Sequence, residues 1–92
     1  MPKMRIYREF KFDSAHWLPN VPPCHKCAKM HGHTYTIEVH LEDELDPTLG
    51  WVLDYNDLRK VVDPLIELLD HKILNEIEGL ENPTAELIAL WF

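Results

Sequence analysis

The stretch HGHTYTIEVHLE, residues 31–42, decides how this chain is read. His31, His33, Tyr35, Ile37, Val39 and Leu41 share one parity, and Gly32, Thr34, Thr36, Glu38, His40 and Glu42 share the other. A β-strand sends alternate side chains to opposite faces, so the pattern predicts a half-buried strand whose apolar face ends in two inward-pointing histidines. Upstream, residues 5–16 alternate as well. Ile6, Phe10, Phe12 and His16 lie on one face and Arg5, Glu9, Lys11 and Asp13 on the other, with Arg8 and Tyr7 breaking the pattern. Residues 17–30 contain Pro19, Pro22 and Pro23 and read as a loop. If the two strands pair antiparallel, His16 comes close to His31 and His33.

Downstream, Asp43 to Gly50 is a polar turn containing Asp46-Pro47, followed by the short apolar run Trp51-Val52-Leu53. Asp54 occupies a helix N-cap position, with Asp57 in the first turn. Leu58, Val62, Leu65 and Leu69 then recur at helical spacing and predict one buried stripe. Pro64 lies inside that helix and should remove the hydrogen bond to residue 60, which predicts a kink. Asp70-His71 follows at the helix end. Asn82-Pro83 reads as a second start signal, with a helix from Thr84 to Phe92. Two strands and two helices give an α+β chain with a thin core. The last six residues, 87–92, are all apolar, so the reading is either a piece of a longer domain or a chain that leans on subunit partners.

Ninety-two residues set the scale of one small domain, residues 1–92. Nine Lys and Arg against sixteen Asp and Glu give a net charge of −7, a poor surface for nucleic acid or anionic membrane. No apolar stretch approaches the roughly 18 residues of a membrane span, and the first residues lack an apolar signal core. The expected location is therefore cytoplasmic. Two cysteines in such a compartment are expected as thiols or ligands.

Six histidines make a metal the first chemistry to consider. Two ligand sets suit the spacing. One is a structural site, Cys24, Cys27, His31 and His33, whose two pairs sit closer together than in finger-type sites. The other is His16, His31 and His33, three imidazoles that leave a fourth position open, as in catalytic zinc sites. The second set frees Cys27. Lys26 and Lys29 flank that cysteine, and no acidic residue occurs between Asp13 and Glu38. The resulting positive patch favours a thiolate and suits an anionic, phosphate-bearing substrate. Asp70 beside His71 fits a general acid/base pair, although His is also favoured at a helix C-terminus for electrostatic reasons alone. His25 and His40 read as solvated.

Cys27-Ala28-Lys29-Met30-His31-Gly32-His33, together with Phe12-Asp13-Ser14-Ala15-His16, Gly50-Trp51-Val52-Leu53-Asp54-Tyr55, Leu69-Asp70-His71 and Gly79-Leu80-Glu81-Asn82-Pro83-Thr84, resembles the 6-pyruvoyl-tetrahydropterin synthase family along the whole chain. The likeness is strongest to the bacterial branch that forms 6-carboxytetrahydropterin for queuosine. The resemblance implies a tunnelling fold, an antiparallel sheet with helices on one face. It also implies a homo-oligomer, a trimer or dimer of trimers, whose sheets close into a barrel. It implies Zn2+ on His16, His31 and His33, with Cys27, Asp70 and His71 as the catalytic set. The implied substrate is 7,8-dihydroneopterin triphosphate, converted with loss of triphosphate and acetaldehyde. Lys26 and Lys29 would meet the triphosphate, and Thr84 matches a segment that lines the pterin pocket. Family members carry two further strands and a pterin-anchoring glutamate that residues 1–92 do not contain. Glu86 is not that residue by position.

Overall fold

The computed structural model describes residues 2–92. Two long strands, β1 (Lys3–His16) and β2 (His31–Glu44), pair antiparallel without interruption, from Lys3 opposite Glu44 to His16 opposite His31. β2 runs two residues past the expected Glu42, because Asp43 and Glu44 still find partners in Met4 and Lys3. The register sets Phe10 against Ile37 and Phe12 against Tyr35, so the apolar faces of both strands coincide. The opposite face is exposed. There Arg5 and Glu42 form an ion pair at 3.2 Å, and the Tyr7 and His40 rings stack with centroids 5.0 Å apart.

Helix α1 (Tyr55–Leu69) begins as the sequence indicates, with Asp54 accepting from the Asn56 backbone N–H at 2.9 Å. Leu58, Val62 and Leu69 are buried. Leu65 is only half-buried, and Ile66 occupies the position where the two parts of the core meet. The helix continues through Pro64 as one element. Pro64 and Lys60 are both exposed, so the carbonyl left without a donor is on the hydrated side.

Helix α2 (Ala85–Trp91) starts later than Asn82-Pro83 suggests. Thr84 is the N-cap, its hydroxyl accepting from the Leu87 N–H at 3.2 Å, and Pro83 is buried ahead of the helix. Both helices pack on the same sheet face. Phe12, Leu69, Leu74, Leu80 and Ile88 form one cluster, and Phe10, Leu58 and Val62 a second, with Ile37 and Ile66 touching both. Each fully buried apolar side chain contributes about 1.5–3 kcal/mol. Short 3-10 turns at Lys26–Ala28 and Leu74–Glu76 complete the chain. Residues 71–73 run along the free edge of β1, where Asp13 C=O accepts from His71 N–H at 2.6 Å and Lys72 C=O accepts from Ala15 N–H at 3.0 Å. No helix among the described residues is long and apolar enough to cross a membrane.

Candidate functional site

The final rung of the hairpin sets His16 directly opposite His31, and the register places Ser14 opposite His33. All three histidines therefore leave the sheet on its apolar face, as the parity predicts. Their ring centroids lie 4.6 Å (His16–His31), 4.6 Å (His31–His33) and 5.1 Å (His16–His33) apart, and one ring nitrogen from each lies within 4.8 Å of the others. The inward expectation needs one correction. His16 is buried and His31 half-buried, but His33 is exposed, although it lies further from this end of the hairpin than His31.

Two backbone carbonyls fix the ring chemistry. Pro83 C=O lies 2.9 Å from His16 Nδ1, and Lys29 C=O lies 2.8 Å from His31 Nδ1. A carbonyl only accepts, so each Nδ1 carries the hydrogen and each Nε2 is left with a lone pair. Those two Nε2 atoms face each other at 3.0 Å. Two acceptors cannot satisfy one another, whereas a cation between them satisfies both. Two imidazoles on a tetrahedral Zn2+ with Zn–N of 2.0–2.1 Å have nitrogens roughly 3.3 Å apart. The donor set fits such an ion. Burial holds His16 below the usual histidine pKa, opposed by the Pro83 carbonyl and reinforced by His31 and His33, which favours the neutral ligand form. The Tyr35 ring meets His16 and His33 edge-on at 5.7 and 5.6 Å. Its buried hydroxyl has no hydrogen-bond partner among the described residues, and burial pushes its pKa up to about 12.

Cys27 lies half-buried in the first 3-10 turn, its N–H donating to His25 Nδ1 at 3.0 Å and its C=O accepting from Leu18 N–H at 2.8 Å. Among the described residues neither Cys27 nor the exposed Cys24 joins a group of candidate ligands, so the four-ligand sulfur site is not assembled. His25 is exposed as expected and also caps this turn. Lys26 and Lys29 are exposed, and Lys29 reaches the histidines through its carbonyl. The Thr84 hydroxyl oxygen is engaged in capping α2.

Asp70 and His71 assemble elsewhere. Asp70 accepts from Asp13 N–H through Oδ1 at 2.9 Å, and its Oδ2 lies 3.0 Å from His71 Nδ1. The Asp13 backbone hydrogen bond, then the His71 ring, lowers the Asp70 pKa. His71 adopts φ 56°, a left-handed conformation uncommon for a residue with a side chain, and the Asp13 carbonyl anchors its N–H there. Asp13 belongs to the same group, and its carboxylate accepts from the Thr34 hydroxyl. Asp13 and Thr34 have the outward parity, so this cluster sits on the opposite face of the hairpin from His16. A groove of about 600 Å³ runs beside it, lined by Asp13, Thr34, His71 and Lys72, with His33 the one member of the histidine trio among its lining residues.

Sequence reasoning identifies the three rings but misses the groups that orient them, the Pro83 and Lys29 carbonyls. It also misses Asn75, whose amide binds both backbone groups of Trp17. Backbone acceptors leave no trace in residue identity. The apolar–histidine parity and the family resemblance both pointed to this end of the sheet.

Three histidine rings that could together hold a metal ion, mounted on a long hairpin backed by two helices, define a small α+β protein with a candidate metal centre. The family model described as 6-pyruvoyl tetrahydropterin synthase matches residues 5–92, and the chain belongs to this family. It is 43% identical over 91 residues to a 6-carboxy-5,6,7,8-tetrahydropterin synthase of Synechocystis sp., covering 94% of this chain and 69% of that protein. It is 42% identical over 89 residues to a dihydroneopterin monophosphate aldolase of Pyrococcus furiosus, covering 97% and 71%. The solved 6-pyruvoyl tetrahydropterin synthase of Caenorhabditis elegans superposes with a TM-score of 0.90 at 30% identity, covering 99% of this chain and 74% of that one. The fold is thus the tunnelling fold that the sequence resemblance implies.

Proposed function

We propose that the chain is a zinc-dependent pterin lyase that converts 7,8-dihydroneopterin triphosphate and one water to 6-carboxy-5,6,7,8-tetrahydropterin, releasing triphosphate and acetaldehyde, in queuosine synthesis. One observation carries the reading: two imidazoles locked by backbone carbonyls so that their Nε2 lone pairs converge at 3.0 Å, with a third ring beside them. His16, His31 and His33 hold the ion. When bound, Zn2+ supplies Lewis-acid polarisation of the substrate's side-chain oxygens. Cys27 takes a proton from the adjacent carbon, and His71, oriented by Asp70, handles protons on the other side of the substrate. Lys26 and Lys29 meet the triphosphate, and Thr84 lines the pterin pocket. Because the Asp70–His71 cluster and His16 lie on opposite hairpin faces, a substrate that touches both sets draws them from two copies of the chain. This supports a homo-oligomer, and the family resemblance suggests a trimer or dimer of trimers.

The test is an acetaldehyde-release assay on zinc-loaded protein with dihydroneopterin triphosphate. Cys27→Ala is expected to retain zinc and lose turnover. Loss of zinc in that variant would instead assign the cysteine to the metal and favour a structural zinc module. A second reading, an aldolase acting on the monophosphate, is favoured by the 42% identity to the Pyrococcus furiosus protein. Parallel assays with the monophosphate and the triphosphate separate the two.

A further inference from the structure

Asn75 spends its side-chain amide on main-chain groups. Its Oδ1 accepts from Trp17 N–H at 3.1 Å, and its Nδ2 donates to Trp17 C=O at 2.9 Å and to Glu81 C=O at 3.4 Å. Both amide hydrogens and one lone pair are therefore engaged. Trp17 is the residue after His16, and Glu81 lies two residues before Pro83, whose carbonyl holds His16 Nδ1. A single side chain thus ties the backbone leaving one histidine to the segment that sets the orientation of that histidine's ring. The clamp extends one step further, because Leu18, next to Trp17, donates its N–H to the Cys27 carbonyl at 2.8 Å. Asn75 itself stands on a fixed base. It sits in the Leu74–Glu76 turn, and Leu74 is fully buried in the larger core cluster.

We propose that Asn75 is a positioning residue that sets the His16 ring and the Cys27 turn relative to each other, by clamping Trp17 to the Glu81–Pro83 segment. The inference rests on the metal reading above. No other side chain of similar size supplies the clamp. Aspartate keeps the acceptor for Trp17 N–H but has no hydrogen for the two carbonyls, and alanine has neither group. Residues that orient a metal ligand's second nitrogen typically influence metal affinity 10–100-fold. Asn75 acts one step further out, so a loss near the lower end of that range is expected.

The experiment titrates Co2+ into the full chain, with its ligand-field spectrum as the readout, for the wild type, Asn75→Asp, Asn75→Ala and the control Val62→Ala. Val62 is buried in the smaller cluster, away from the histidines, and its truncation destabilises the fold without touching the clamp. Asn75→Asp and Asn75→Ala are expected to weaken Co2+ binding about tenfold and to shift the visible bands, while Val62→Ala stays within twofold of the wild type despite a lower melting temperature. Should both Asn75 variants fail to fold, hydrogen exchange on the wild type takes their place. Bound metal should then slow exchange of the Trp17 and Leu18 amides more than that of Val62 in α1, since the first donates to Asn75 Oδ1 and the second to the Cys27 carbonyl. Wild-type Co2+ affinity and spectrum in a folded Asn75 variant would overturn the proposal. So would an equal loss in Val62→Ala, or unchanged exchange at those amides in the metal-loaded wild type. A wild type that binds no Co2+ would overturn the metal reading first, a result distinct from all of these.

Discussion

Replacing His16 or His33 with alanine should remove metal-dependent stabilisation equally, yet affect the metal-free protein very differently. At a metal concentration of 100 times Kd, a single site adds about 2.7 kcal/mol to folding stability. For a domain of 60–100 residues each kcal/mol moves the melting temperature by about 4–8 °C, so zinc should raise the wild-type Tm by about 11–22 °C. Both variants should lose that shift. Without metal, His33 is exposed and has no hydrogen bond to a carbonyl among the described residues, so His33→Ala should leave stability within about 0.5 kcal/mol. His16 is 7% exposed, and its Nδ1–H is the donor to Pro83 C=O. His16→Ala leaves that buried acceptor unpaired, at a cost of about 1–3 kcal/mol, which lowers the metal-free Tm by about 4–24 °C. Thermal unfolding followed by tryptophan fluorescence, with and without zinc, measures both effects. A zinc shift that survives in His33→Ala would refute the three-ring site. A metal-free His16→Ala protein as stable as the wild type would refute the structural role given to the Pro83 contact.

Leu74→Ala should cost about 2–5 kcal/mol in urea unfolding, because the side chain is fully buried; a loss below 1 kcal/mol would mean that the larger cluster does not hold the second 3-10 turn in place. Tyr35→Phe should leave stability unchanged or raise it by up to about 1 kcal/mol, since it deletes a buried hydroxyl that has no partner, and zinc affinity should not change; a destabilised variant would show that the hydroxyl is satisfied in solution. Asp70 has a depressed folded pKa, so its contribution is complete above the unfolded value near 3.8 and disappears as pH falls through the lower folded value. The stability difference between the wild type and Asp70→Asn should accordingly shrink as pH falls below about 4, and a difference that persists undiminished in acid below that point would contradict this assignment.

Much of this architecture could be read from periodicity. The even positions from Phe10 to His16 and the odd positions from His31 to Ile37 define one face, and the observed register pairs those positions with each other. Asp54 caps α1 as its residue type predicts. Such signals are local: a strand's parity or a cap's hydroxyl or carboxylate acts within a few residues, so it survives in a linear reading. The errors also have physical causes. Asn82-Pro83 looks like a cap followed by a first helical proline, but Thr84 two residues later is equally able to cap, and only the burial of Pro83 decides between them. Leu65 fits the helical stripe as well as Ile66 does; the angle at which α1 crosses the hairpin selects Ile66, and nothing in the spacing encodes that angle.

What the sequence withheld is the set of contacts that turns three nearby rings into a defined site. His16 is oriented by a carbonyl 67 residues away, and Trp17 is held by a side chain 58 residues away. The first is a main-chain acceptor that every residue possesses, so Pro83 differs from its neighbours only in where the fold puts it. The same holds for the separation of the two polar clusters. Asp13 and His16 are three residues apart, and on a strand an odd separation sends their side chains to opposite faces. Asp70 and His71 join Asp13 only because residues 71–73 return along the free edge of β1. The strand's parity was visible from the start, but the strand that His71 would run beside was not. Residue types therefore revealed which groups are chemically capable, while the return of the chain along β1 determined which of them share a face.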